Sequence, residues 1–246
     1  AMKNANICFN NETIKKYGIV YLACATRTGK TSIALNIINM IDSSAEIIFV
    51  TKKAIKSSAM NDYNEWGISN PITIISMDSL YKLTYKPNLW FVIDESHSIG
   101  SFPKPNKRAK ELKRLVKHNR VIYLSGTPTP ETLAQIYHQL WISEYSPFKQ
   151  FVNFYRWFDW FGKLNAEGKP YKKRVAMGKE IADYSKVKVN DIEKIISKYR
   201  ISLTKADAGF NYDKIIDNII PISFDWHVID IATDLIKNGI YEDSFL

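Results

Sequence analysis

The stretch ATRTGKT (Ala25 to Thr31) decides how this chain is read. It follows an apolar run, GIVYLAC (18–24), and opens a segment in which Ile33, Ile37 and Ile41 recur at helical spacing. Strand, short polar loop and helix, in that order, is the context in which Gly-Lys-Thr closes a phosphate-binding loop. The backbone N–H groups of such a loop, with a helix N-terminus behind them, form an anion site. In this reading Thr26, Arg27, Thr28, Gly29, Lys30, Thr31 and Ser32 line the phosphates of a nucleotide. Lys30 reaches the β- and γ-phosphates, and the Thr31 hydroxyl ligates Mg²⁺. The loop is a variant, because the strict pattern has glycine where this chain has Cys24.

Working outward, four more apolar runs have strand character: EIIFV (46–50), PITIISM (71–77), LWFVID (89–94) and RVIYLSG (120–126). Most are continuous rather than alternating, as parallel strands buried on both faces read. A helical stripe, Ala109, Leu112, Leu115 and Val116, precedes the last of them, with lysines and arginines on its other face. Strands alternating with helices predict an α/β domain with a parallel central sheet. Ligands of such sheets sit at the C-terminal ends of the strands.

Two strand ends carry further chemistry. FVIDESH (91–97) ends a hydrophobic strand in adjacent carboxylates. Buried carboxylates are costly without partners, so the pair makes poor sense as packing. Asp94 is expected to hold Mg²⁺ and Glu95 to orient and deprotonate an attacking water. Lys30 and the 94–95 pair are expected to converge across neighbouring strand tips. LSGTPTP (124–130) ends another strand, where small hydroxyl residues can bridge one site to the next.

GKT, DESH and SGTP in this order, each after a strand, resemble the first RecA-like domain of superfamily-2 helicases and translocases. DESH resembles a DEAH/DExH box, and LSGTPTPETLAQIYHQLW (124–141) resembles Swi/Snf-type motif III and its following helix. IIFVTKKAIKSSAMNDYNEWG (47–67) resembles motif Ia, and ITIISMDSLYKL (72–83) the segment after it. The overall cast is similar to Swi/Snf-like helicases of phages. The resemblance implies ATP and Mg²⁺ as ligands, with Lys30, Asp94, Glu95 and His97 as catalytic residues. It also implies coupling through His97, Ser125, Gly126 and Thr127. Nucleic-acid contacts are implied at Thr51, Lys52, Lys53, Ser76 and Ser79, with DNA favoured over RNA. A second RecA-like domain bearing an arginine finger is implied as partner. The family writes A-x-x-G-x-G-K-T, so Arg27 stands in place of its middle glycine. Arg27 either meets a phosphate or a motif III partner, or turns outward into a surface ion pair. No glutamine precedes Gln135 to read adenine, and Tyr17 is a candidate for stacking on the base.

The rest of the chain fits one large domain with an appendage. It has 246 residues, a net charge of +9 and 46% hydrophobic residues. The basic excess suits a polyanionic partner. No apolar run approaches the ~18 residues needed to span a bilayer. With only Cys8 and Cys24 and no C-x-x-C, a reducing cytoplasmic setting is expected. The expected division is a RecA-like core at 1–145 and a helical, basic accessory subdomain at 146–199. Strands return to the core at 200–224, and a terminal helix or linker occupies 225–246. Phe151, Phe154 or Tyr155, Phe158 and Phe161 form an aromatic anchoring stripe. The basic run 104–117 reads as a solvated helix face, whereas Lys172, Lys173 and Arg174 form a candidate nucleic-acid grip. His118 and His138 read as structural. The fragment is expected to be monomeric and, alone, to hydrolyse ATP slowly. The competing function is a non-catalytic nucleotide-binding switch.

Overall fold

The computed structural model describes residues 11–175 and 178–207. The strand expected over 214–224, the helix over 226–239 and Cys8 lie outside them. Six strands form one sheet: β1 (Ile19–Cys24), β2 (Glu46–Thr51), β3 (Ile72–Ser76), β4 (Leu89–Ile93), β5 (Arg120–Ser125) and β8 (Arg200–Leu203). Their order is β3-β2-β4-β5-β1-β8, and every pairing is parallel. A separate antiparallel hairpin joins β6 (Lys172–Arg174) to β7 (Glu180–Ala182). Its first strand is the basic segment Lys172–Arg174.

Helices cover both faces, which is why the central strands are apolar throughout. One face packs Val20, Leu22, Phe49, Val92 and Leu124 against α1 (Asn11–Tyr17), α2 (Lys30–Ile41) and α3 (Lys56–Glu65). The alternate residues Tyr21, Val50, Phe91, Ile93 and Tyr123 face α4 (Lys107–Val116), α5 (Ile136–Trp141), α6 (Phe154–Phe161) and α7 (Val189–Ile196). The whole stripe Ala109, Leu112, Leu115, Val116 is buried in α4. In α2 the buried face is Ala34, Leu35, Ile37 and Ile38, while Ile33 and Ile41 are half-buried. A strict four-residue spacing overshoots the 3.6-residue turn, so its ends drift off the packed face.

Two expectations need correction. β1 and β4 are not neighbours, because β5 lies between them. The Gly-Lys-Thr loop and the acidic pair are therefore bridged by the SGTP strand. Tyr17 lies before β1, at the strand end opposite the loop, and packs on Tyr199 with ring centroids 4.7 Å apart. A base bound near Lys30 is out of its reach, since a six-residue strand spans roughly 20 Å.

The aromatic segment is an anchor. Phe154, Trp157, Phe158 and Phe161 are buried within the same core cluster as the sheet face, while Tyr155 is exposed. Asn153 starts α6 by accepting the Arg156 N–H at 3.0 Å. His138 is buried beside this cluster and its Nδ1 lies 2.6 Å from the Ser101 carbonyl, so Nδ1–H donates. Burial outweighs that bond and lowers its pKa to about 4 from 6.5. The unfolded chain therefore takes up the proton first as pH falls. The stabilisation is complete above about pH 6.5 and is lost as pH drops towards 4, amounting to about 3 kcal/mol. Denaturant midpoints at pH 7 and pH 4 are expected to differ by less in His138→Asn, which keeps the donor and does not titrate.

Candidate nucleotide site

β1, β4 and β5 run parallel, so the loops that leave their C-terminal ends share one edge of the sheet. After β1 the chain turns sharply. Thr28 Oγ1 donates to the Ala25 carbonyl at 2.8 Å, and Lys30 Nζ donates to the same oxygen at 3.1 Å. These bonds close the loop, and the Thr28 hydroxyl helps to build it. Among the described residues the other two Lys30 N–H groups have no partner and remain for an anion. The first helical bond runs from Ile33 N–H to the Gly29 carbonyl. The N–H groups of Lys30, Thr31 and Ser32 are thus the first-turn donors that a helix leaves without partners. The Ser32 side chain itself is buried.

Gly29 lies at φ 76° and Arg27 at φ 65°. Glycine takes that left-handed conformation freely, whereas a side chain costs about 1–2 kcal/mol. Hence the glycine that the resembled family carries at the Arg27 position. Arg27 is exposed and forms no ion pair among the described residues. Arg27→Gly is expected to stabilise the chain by about 1 kcal/mol, or about 2–4 °C in melting temperature. A calorimetric scan of the two proteins checks this.

At the end of β4, Asp94 is buried and both its oxygens are held. Oδ2 accepts from Thr51 Oγ1 at 2.7 Å, and Oδ1 accepts from the Glu95 N–H at 3.0 Å. Glu95 itself adopts φ 49°. Strained backbone of this kind persists where surrounding structure over-determines it, as at functional turns. Glu95 Oε2 lies 3.2 Å from His97 Nδ1, which in turn lies 3.0 Å from Ser125 Oγ. Ser125 Oγ accepts the Thr127 N–H at 3.2 Å, folding the SGTP turn around itself. A Cβ on Gly126 would lie 3.4 Å from Thr26 Cγ2, so this turn approaches the phosphate loop. Side-chain contacts thus lead from Glu95 through His97 to Ser125 at the end of β5, and the next residue, Gly126, comes close to Thr26 of the Gly-Lys-Thr loop.

A buried network behind these turns escaped sequence reading. The Tyr21 hydroxyl lies 2.6 Å from both Ser96 Oγ and Gln139 Oε1, while Gln139 Nε2 donates to the Pro128 carbonyl at 2.7 Å. Gln139 therefore ties the DESH turn to the SGTPTP turn. Burial pushes the Tyr21 phenol well above its ordinary pKa, so it stays a neutral hydroxyl. Only a tyrosine and a glutamine at otherwise apolar positions of β1 and α5 hinted at this.

The expected nucleic-acid residues divide. Lys52 and Lys53 are exposed just beyond β2. Thr51 is completely buried and turned onto Asp94, which corrects its assignment as a phosphate contact. Ser76 is likewise buried, with its hydroxyl 2.9 Å from that of half-buried Ser79. Lys172, Lys173 and Arg174 are exposed, but Lys172 pairs with Glu180 at 3.4 Å and Lys173 approaches Asp183 at 4.0 Å. That proximity offsets part of the charge offered to a polyanion.

The fold has a known counterpart in the SWI2/SNF2 ATPase core of Sulfolobus solfataricus, solved in complex with dsDNA. The TM-score is 0.56 at 16% identity, over 85% of this chain and 46% of that one. The chain therefore spans about half the length of this structural relative. Its six-stranded parallel sheet flanked by helices is a RecA-like fold. No curated protein sequence matches. A family profile, described as SNF2-related domain, matches residues 35–225, starting just after the Gly-Lys-Thr loop and running through the DESH and SGTP turns. On a match of that extent, the chain belongs to the SNF2-related domain family.

Proposed function

We propose that this chain is the nucleotide-binding lobe of an ATP-dependent translocase that acts on nucleic acid, duplex DNA in preference to RNA. The observation that carries the reading is the chain Glu95–His97–Ser125, with Gly126 set against Thr26. It links three motif turns at the one sheet edge where α/β domains bind ligands. Lys30 and the N–H groups of the first turn of α2 hold the phosphates. Thr31 and Asp94 would hold Mg²⁺, and their all-oxygen donor set, completed by phosphate oxygens, suits that hard cation. When bound, the cation would offset negative charge on the phosphates. Glu95 orients water and takes its proton. His97, fixed between Glu95 and Ser125, passes the state of the site to the SGTP turn. A second RecA-like domain completes the cleft with an arginine. Among the described residues no helix is long and apolar enough to cross a membrane.

The dsDNA in the related structure and the exposed Lys52–Lys53 turn support the choice of partner. Each phosphate contact contributes about 0.9 to the slope of log affinity against log salt. Lys52→Glu with Lys53→Glu is therefore expected to flatten that slope by about 2 in duplex binding followed by anisotropy. An unchanged slope removes this turn from the interface, and a wild type that binds no duplex at low salt overturns the nucleic-acid reading.

A further inference from the structure

We propose that Thr51 is the positioning residue for Asp94, and that through it the Lys52–Lys53 turn is linked to the cation site. The inference rests on reading Asp94 as a magnesium ligand. Thr51 is the last residue of β2, fully buried, and its hydroxyl donates to Asp94 Oδ2 at 2.7 Å. A second bond joins the same two strand ends, from Asp94 N–H to the Val50 carbonyl at 2.9 Å. With Oδ1 held by the Glu95 N–H, the carboxylate is fixed on both oxygens. Its remaining lone pairs are aimed by the end of β2 as much as by β4. The next two residues, Lys52 and Lys53, are exposed cations on the same turn. A phosphate held there pulls on the backbone that carries Thr51. One hydrogen bond further on lies the carboxylate that would bind the metal. Linkage is reciprocal: if a polyanion on the turn changes cation affinity at Asp94, the cation changes polyanion affinity by the same factor.

Partners in the second shell of a metal site are worth about 10–100-fold in affinity. The test measures binding of a fluorescent ATP analogue with and without Mg²⁺, in the presence and absence of a DNA duplex. It uses wild type, Thr51→Val, Thr51→Ser and Asp94→Asn, each checked for folding by circular dichroism. Thr51→Val is expected to lose about tenfold of the magnesium-dependent gain in affinity, with metal-free binding unchanged. It is also expected to lose the effect of duplex on that gain. Thr51→Ser, which keeps the hydroxyl, is expected to restore both, which a merely space-filling role does not predict. If Asp94→Asn abolishes the gain and Thr51→Val retains it in full, the role of Thr51 is overturned and the magnesium site stands. If wild type shows no magnesium-dependent gain, the site reading fails and this inference with it.

Discussion

Glu95→Gln is expected to lower nucleic-acid-stimulated phosphate release by at least about 10²-fold while ATP affinity stays within about twofold of wild type. The measurement belongs to the full-length protein, where the proposed second RecA-like domain would complete the cleft. Glutamine matches the shape of Glu95 and still meets His97 Nδ1, 3.2 Å from the native carboxylate. It cannot take a proton from water. A loss confined to turnover therefore isolates the base from the binding site. Loss of ATP binding as well would make Glu95 part of the loop's architecture. A wild type without turnover in the presence of DNA or RNA would favour a nucleotide switch over a motor.

Trp157→Ala has the largest expected effect on stability, about 4 kcal/mol, read as a shift in urea midpoint. Trp157 is fully buried, with its ring 5.4–5.7 Å from those of Tyr137, Phe148, Phe154 and Phe161. Its removal opens a cavity where α5 and α6 meet the sheet face. With total stabilities of about 5–15 kcal/mol, that is a large fraction. The indole N–H has no hydrogen-bond partner among the described residues. Trp157→Phe therefore gives up volume but also removes an unsatisfied buried donor, a gain of about 1–3 kcal/mol. It is expected to cost far less than alanine. Equal losses for the two variants would mean that the indole N–H is satisfied.

Much of this was legible in the sequence because it is written in local patterns. The buried runs at 18–24, 46–50, 89–94 and 120–126 announce parallel strands, and the loops after all four carry charged or hydroxyl residues. What periodicity cannot give is lateral order. Nothing in the letters puts β5 between β1 and β4, yet that placement makes Ser125 the bridge to His97. Side-chain direction at strand ends was equally hidden. Thr51 and Lys52 are adjacent letters, but one points onto Asp94 and the other into solvent. Arg27 shows the reverse case, a letter that breaks the glycine pattern while the backbone keeps the left-handed turn.

The most direct test of the central claim is a calorimetric titration of the wild-type chain with ATP, with and without Mg²⁺, beside Lys30→Ala. The account predicts one saturable site that tightens with Mg²⁺ and weakens at least about tenfold without the Lys30 ammonium. Binding that is absent from wild type, or indifferent to both the cation and Lys30, would contradict it.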